Sequence, residues 1–120
     1  MIKKYIKMSM IIASTTLAAT ISSTAFAASF DCNRSKSVTE KTVCEHQGLN
    51  DADVKMATTY QILRRLLPMG TRSIIQNEQV KWLELRDQCL SNKDCLINVY
   101  QMRQQKLEIY LDRIYKQGPY

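Results

Sequence analysis

The chain has 120 residues, with 17 basic side chains against 11 acidic ones, 3 glycines and 4 cysteines. That length holds one small domain. So few glycines leave no phosphate-cradling loop, and the basic residues are too scattered for the continuous stripe of a nucleic-acid binder.

The first segment reads as a cleavable export signal. Lys3, Lys4 and Lys7 precede an uncharged, mostly apolar stretch from Met8 to Ala19. Ala25-Phe26-Ala27 then supplies the small-x-small pattern that signal peptidase accepts, which predicts a cut after Ala27. The apolar stretch is too short and too rich in Ser and Thr for a span of about 20 residues, so no stable membrane insertion is expected. Ser29-Phe30-Asp31 ahead of Cys32 is not a lipobox, so the expected product is a soluble periplasmic or secreted domain of residues 28–120. Removing the three leader lysines from the 17 basic residues leaves 14 against 11 acidic ones, a mature net charge of +3.

Beyond the leader the pattern is helical throughout, with no hairpin turn dipeptide and no period-two run. Ser37 with Glu40 three residues on has the spacing of a capping box and opens a short first helix, expected to run to about His46 and stop at Gly48. Asn50 is the expected cap of a second helix, with Asp51 and Asp53 in the first turn, where the helix dipole favours negative charge. Its apolar face is Leu49, Met56, Tyr60, Leu63 and Leu67. Pro68-Met69-Gly70 breaks it. Thr71 or Ser73 is the expected start of a third helix, whose stripe is Ile75, Gln79, Trp82, Arg86 and Cys89, with Leu85 beside it. Ser91-Asn92 interrupts, and a fourth helix starts near Asp94, with Leu96, Val99, Tyr100, Leu107, Tyr110, Leu111 and Ile114 on one face and Gly118-Pro119 as its stop. The predicted fold is therefore an all-α, disulfide-stapled bundle of three to four helices built around a helical hairpin.

A domain of this size gains from staples, and an exported chain meets an oxidising compartment. Four cysteines admit three pairings, which sequence alone does not separate. The local one, Cys32–Cys44 with Cys89–Cys95, is the most economical: it clamps the corner between the last two helices and ties the amino-terminal arm to the first. Zinc is disfavoured, because the spacings are not those of knuckles and there is no C-x-x-C, although His46 lies two residues from Cys44.

The densest run of specific residues is Gln79, Trp82, Arg86, Asp87 and Cys89. Two readings compete for it. Trp82 fills the core and Arg86 pairs with a carboxylate beside it, or Trp82, Arg86 and Asp87 meet a partner, since Trp and Arg dominate interface hot spots. The second candidate contact is the link from Leu67 to Ser73, a turn tip that carries Met69 and Arg72. His46, the single histidine, reads as a helix-end residue, with no nucleophile or matched base beside it. Glu40, Glu45, Asp51 and Asp53 are all explained by caps and first turns. No catalytic set, metal or cofactor is expected.

Taken in order, Cys32, Glu40, Cys44, Leu49, Asp53, Tyr60, Gln79, Trp82, Arg86, Asp87, Cys89, Cys95, Tyr100, Arg103 and Leu107 form a pattern that resembles the LprI-type lysozyme-inhibitor family of small exported bacterial helical proteins. The specific part is Q-x-x-W-x-x-x-R-D-x-C followed by a second cysteine, and both local cysteine pairs fit. The resemblance implies a non-enzymatic partner of a lysozyme or related peptidoglycan hydrolase, which protects the cell wall. It also marks Tyr60, Gln79, Tyr100 and Arg103 as part of the family pattern. Two features depart from it. The family's namesake is lipid-anchored and this chain lacks a lipobox, and a mature charge of +3 gives no long-range attraction to a strongly basic animal lysozyme. An immunity protein against a rival's wall-degrading toxin, or an envelope or adhesive binding protein, are the alternatives.

Overall fold

A computed structural model describes residues 28–117. The expected export signal and the expected helix stop at Gly118-Pro119 lie outside the described residues. Those residues form a 3-10 turn at Cys32–Arg34 and four α-helices: α1 Val38–Glu45, α2 Gln47–Leu66, α3 Met69–Asp87 and α4 Lys93–Lys116. No strand occurs among the described residues. The protein is an all-α bundle carrying two disulfides, Cys32–Cys44 and Cys89–Cys95.

The long helices run up, down and up. Leu49 and Ala52 at the start of α2 lie near Ile97 and Tyr100 at the start of α4. Leu66 and Leu67 at its end lie near Tyr110 and Ile114. The parallel pair α2 and α4 makes the most extensive contact, and α3 returns antiparallel between their ends. Short α1 folds back on α2 at the disulfide end. The apolar interior is Val43, Leu49, Met56, Leu63, Leu67, Ile75, Trp82, Cys89, Leu96, Val99, Tyr100, Leu107 and Tyr110. All five residues of the expected α3 stripe are buried, whereas Tyr60 on α2 is half-buried.

Three boundaries differ from expectation, each for a hydrogen-bonding reason. The Ser37 Oγ caps α1 by accepting from the Glu40 amide at 3.0 Å, as its position predicts. That helix nevertheless ends at Glu45, because His46 is extended (φ −112°, ψ 112°) and is both the end of α1 and the cap of α2. Gly48 therefore lies in the first turn of α2. Asn50 is not the cap either: its amide already donates to the His46 carbonyl at 2.9 Å, and the residue is buried inside the helix. Likewise α3 begins at Met69, two residues before Thr71. The Arg72 amide donates to the Pro68 carbonyl at 2.8 Å, so Gly70 is helical and only Leu67 and Pro68 separate the two helices. Proline suits a helix start because it has no amide proton to satisfy there.

At the α3–α4 corner the Asn92 Oδ1 accepts from the Cys95 amide at 3.0 Å and caps α4. Leu90 has φ 53°, the left-handed region in which a leucine is strained. The Cys89–Cys95 bond spans this corner and holds it closed.

The two staples have different reach. Cys89–Cys95 joins residues 6 apart and Cys32–Cys44 residues 12 apart. In the chain-entropy account each contributes about 2–3 kcal/mol, more for the longer loop. The Cys32–Cys44 bond also anchors the arm that carries Phe30 against the core. Replacing Cys32 and Cys44 together by Ser is expected to lower the urea midpoint more than replacing Cys89 and Cys95 together.

Candidate functional site

Asp53, Trp82, Arg86, Asp87 and Tyr100 meet in one polar network inside the bundle, and Gln79 and Arg103 in a second. Asp53 is 0% exposed. Its Oδ1 accepts from the Tyr100 hydroxyl at 2.8 Å and its Oδ2 from the Ser29 amide at 2.6 Å. Tyr100 meets Trp82 edge to face with ring centroids 5.1 Å apart, and the Trp82 Nε1 donates to the Val99 carbonyl at 3.0 Å. The Arg86 guanidinium lies over both the Phe30 and Trp82 rings, at 5.8 and 5.9 Å. It donates to the Asp87 Oδ1 from Nη2 at 2.7 Å, and Glu40 on α1 stands 3.9 Å away. The Thr39 hydroxyl donates to the Asp87 carbonyl at 3.2 Å, tying α1 to the end of α3.

The second network crosses from α4 to α3. Arg103, 4% exposed, donates from Nε to the Gln79 Oε1 at 2.8 Å, from Nη1 to Glu78 at 3.3 Å and from Nη2 to the Ile75 carbonyl at 3.3 Å. The Tyr110 hydroxyl donates to the same Glu78 at 3.2 Å.

Burial sets the protonation of these groups. Desolvation first, and the Asp53 charge second, hold the Tyr100 phenol well above its ordinary range, with Arg86 pulling the other way. Desolvation, followed by Glu78, raises Tyr110 as well. Burial by itself lowers Arg86, but the hydrogen bond to Asp87, the Tyr100 phenol oxygen beside it and the Asp87 charge outweigh it and leave its guanidinium raised.

Trp82 and Arg86 therefore belong to the interior, 6% and 4% exposed, which corrects their candidacy as partner contacts. Each has its polar atoms engaged within the fold, so neither offers a free surface to a partner. Asp87 is exposed but bound to Arg86. It also stands at the opposite end of α3 from Met69 and Arg72, about 27 Å away at 1.5 Å per residue. The structure thus divides the expected set between two ends of the bundle.

The apex is the end that remains open. Met69 is 79% exposed, more than any other large apolar side chain described. The backbone at this turn is tied by side chains: the Arg72 Nη2 donates back to the Leu67 carbonyl at 3.1 Å and the Ser73 hydroxyl to the Met69 carbonyl at 3.1 Å. Arg64 and Arg65 fill the last turn of α2, and Arg113 and Lys116 that of α4. With Arg72 they make this end strongly cationic against Asp112. Part of that clustering has a local cause, since cations at helix C-termini favour the helix dipole. A shallow cavity of about 220 Å³ opens beside the turn, between Leu66, Pro68, Thr71, Tyr110, Arg113 and Ile114. The other end carries Glu40, Glu45, Asp51, Asp87 and Asp94 among Lys36, Lys41 and Lys93.

Sequence reasoning missed two features. Asp51 and Asp53 are expected in the first turn of α2, but the helix starts at Gln47 and places both beyond it, and nothing local signals that the Tyr100 hydroxyl, 47 residues on, donates to Asp53. An open groove of about 450 Å³ between α2 and α3 has Tyr60, Arg64, Val80 and Leu83 on its walls. Val80 and Leu83 fall off the buried stripe, and their spacing carried no sign that they border a groove. Half-buried Tyr60 lies under the Arg64 guanidinium at 5.8 Å. Among the described residues no group of three or more His, Cys, Asp and Glu side chains is placed to hold a metal ion. Nor is any described helix long and apolar enough to cross a membrane.

No protein-family model matches the chain, and neither a curated protein nor a solved structure matches it.

The Tyr100–Asp53 pair has a pH signature. In the unfolded chain the phenol ionises near pH 10, whereas the native one keeps its proton well above that. The native state then binds more protons than the unfolded state, so its stabilisation is complete below about pH 10 and is lost as pH rises further, by about 1.4 kcal/mol per pH unit. Tyr100→Phe is expected to be less stable at pH 7, with Asp53 missing a hydrogen bond, and to show a shallower alkaline decline. Urea unfolding of both proteins between about pH 8 and 12 checks both effects.

Proposed function

We propose that this chain is an exported, non-enzymatic binding protein that inhibits a lysozyme or related peptidoglycan hydrolase by seating its helical apex in the substrate cleft. The observation that carries the proposal is the exposed cationic tip: Met69, 79% exposed at the start of α3 after a two-residue turn, with Arg64 and Arg65 in the last turn of α2, Arg72 in the first turn of α3 and Arg113 in the last turn of α4. Glycoside hydrolases place a pair of carboxyl groups in the cleft. A projecting side chain flanked by guanidinium groups is complementary to such a site in shape and in local charge, and arginine is the residue best suited to bidentate carboxylate recognition. Periplasmic or secreted residence is supported by the leader pattern and by two disulfides, which persist in oxidising compartments. The LprI-type resemblance points to the same class of target.

The basic apex also favours a second reading, an envelope protein that binds an anionic wall polymer. The two separate cleanly. A polymer binder sediments with insoluble wall material when no hydrolase is present, and salt releases it steeply. An inhibitor, or an immunity protein matched to one toxin, instead removes enzyme activity stoichiometrically.

The test uses the oxidised chain from residue 28 onward against a panel of lysozymes clearing a wall suspension. Saturable inhibition of at least one enzyme is expected. The double variant Met69→Ala, Arg72→Glu should weaken that inhibition about tenfold or more while keeping the helical circular dichroism spectrum, the scale of loss expected when hot-spot residues are removed. Undiminished inhibition by the double variant removes the apex from the interface, and no inhibition of any enzyme in the panel defeats the lysozyme reading.

A further inference from the structure

We propose that Asp53 is the receptor for the α-ammonium group of Ala28 that export processing creates, so that removal of the leader completes the folded state. The inference rests on cleavage after Ala27. It is independent of the identity of the target enzyme.

Asp53 is a fully buried carboxylate whose hydrogen-bond partners are both uncharged, the Tyr100 hydroxyl at 2.8 Å and the Ser29 amide at 2.6 Å. A buried ion is costly to leave without a counter-charge. The cation beside this network is Arg86 on α3, which acts on the Tyr100 phenol, makes no ion pair with Asp53, and is itself bound to Asp87 with Glu40 of α1 3.9 Å away. The amino-terminal arm approaches from the other side. Ser29 donates its amide directly to Asp53, and Ala28, one residue earlier, is 8% exposed. Successive backbone nitrogens are roughly 3–3.5 Å apart, so the Ala28 nitrogen lies within about 6 Å of the carboxylate.

In the precursor that nitrogen is a neutral amide. Hydrolysis of the Ala27–Ala28 bond by signal peptidase consumes one water, leaves the carboxylate on Ala27 and gives Ala28 an amine that takes up a proton at neutral pH. A unit positive charge then appears beside a buried negative one. Phe30 packed under Arg86 and the Cys32–Cys44 bond hold the arm in place, so the new charge is delivered to a fixed position.

The sign of the pH effect follows. An α-ammonium ordinarily titrates near 7.7–8.0. Paired with Asp53 its folded value is raised, so its stabilisation is complete below about pH 7.5 and is lost as pH rises through the folded value. Tyr100 and Arg86, the other groups facing Asp53, do not change charge in that interval.

The experiment compares the oxidised chain beginning at Ala28 with the same chain acetylated at its α-nitrogen, made by ligating a synthetic amino-terminal peptide. The free-amine protein is expected to have a folding equilibrium constant about tenfold larger at pH 6.5, and the two should converge by about pH 10. The Asp53→Asn variant should show no difference between its free and acetylated forms. Equal stability of the wild-type pair at pH 6.5 overturns the proposal, and so does an undiminished difference in Asp53→Asn. If that variant does not fold, the rate of acylation of the Ala28 amine against pH gives a second reading: a raised value supports the pair and an ordinary one overturns it. Mass analysis of the exported protein tests the cleavage site itself, and a different amino terminus overturns the proposal at its premise.

Discussion

The carboxylate of Asp53 constrains everything around it. It lies at the level where the parallel helices α2 and α4 begin, and it takes one hydrogen bond from Tyr100 on α4 and another from the amino-terminal arm. Apolar packing fixes which faces of two helices meet, but it discriminates less sharply between registers that still match apolar residues with apolar residues. A buried carboxylate with fixed partners does not tolerate that, because a displaced register leaves it unsatisfied. The same contact holds the arm where the Phe30 ring lies under the Arg86 guanidinium, so the arm, α2, α3 and α4 meet in one place.

A similar logic explains why the richest sequence pattern is scaffold. The inward stripe of α3 contains Gln79 and Arg86 in addition to its apolar members. These side chains survive burial because Arg103 reaches across from α4 to Gln79, Glu78 and the Ile75 carbonyl, while Arg86 folds onto Asp87 between two aromatic rings. Such residues define a fold and leave the surface unspecified. A resemblance carried by Gln79, Trp82, Arg86, Tyr100 and Arg103 therefore speaks to architecture, and any particular activity depends on the exposed residues at the tips.

The class of fold was legible because it depends on periodicity. Leu49, Met56, Leu63 and Leu67, and then Leu96, Val99, Leu107 and Tyr110, repeat at helical spacing, and the structure buries each of them. The local cysteine pairing was readable from economy of closure. What escaped was decided by contacts distant in sequence or by the backbone of a neighbour. Asn50 looks like a cap, yet His46 had already supplied the carbonyl that starts α2. Gly48 and Gly70 look like breakers and sit in first turns, where helix propensity weighs little against a break fixed one or two residues earlier. Trp82 and Arg86 were open to two readings because a residue type alone does not say whether its polar atoms find partners inside. The apex was placed correctly as a tip, but as a length of loop, whereas it is two residues between helices.

That shortness bears on how the molecule meets a charged partner. Residues 28–117 carry 14 basic side chains against 11 acidic ones, unevenly placed: Arg64, Arg65, Arg72 and Arg113 crowd one end, and Glu40, Glu45, Asp51, Asp87 and Asp94 lie among Lys36, Lys41 and Lys93 at the other. The two ends stand about 27 Å apart along α3, whereas charges in physiological salt are screened over about 8 Å. A partner docking at the apex therefore responds to Arg64, Arg65, Arg72 and Arg113 and hardly at all to Glu45 or Asp94. The repulsion that net charge implies against a basic enzyme is correspondingly local. In the proposed complex it would fall on whatever cations rim the enzyme's cleft, while the tip would meet the cleft's carboxylates at close range, where desolvation strengthens attraction. A target with an acidic floor and few cations at its rim is the one this geometry favours.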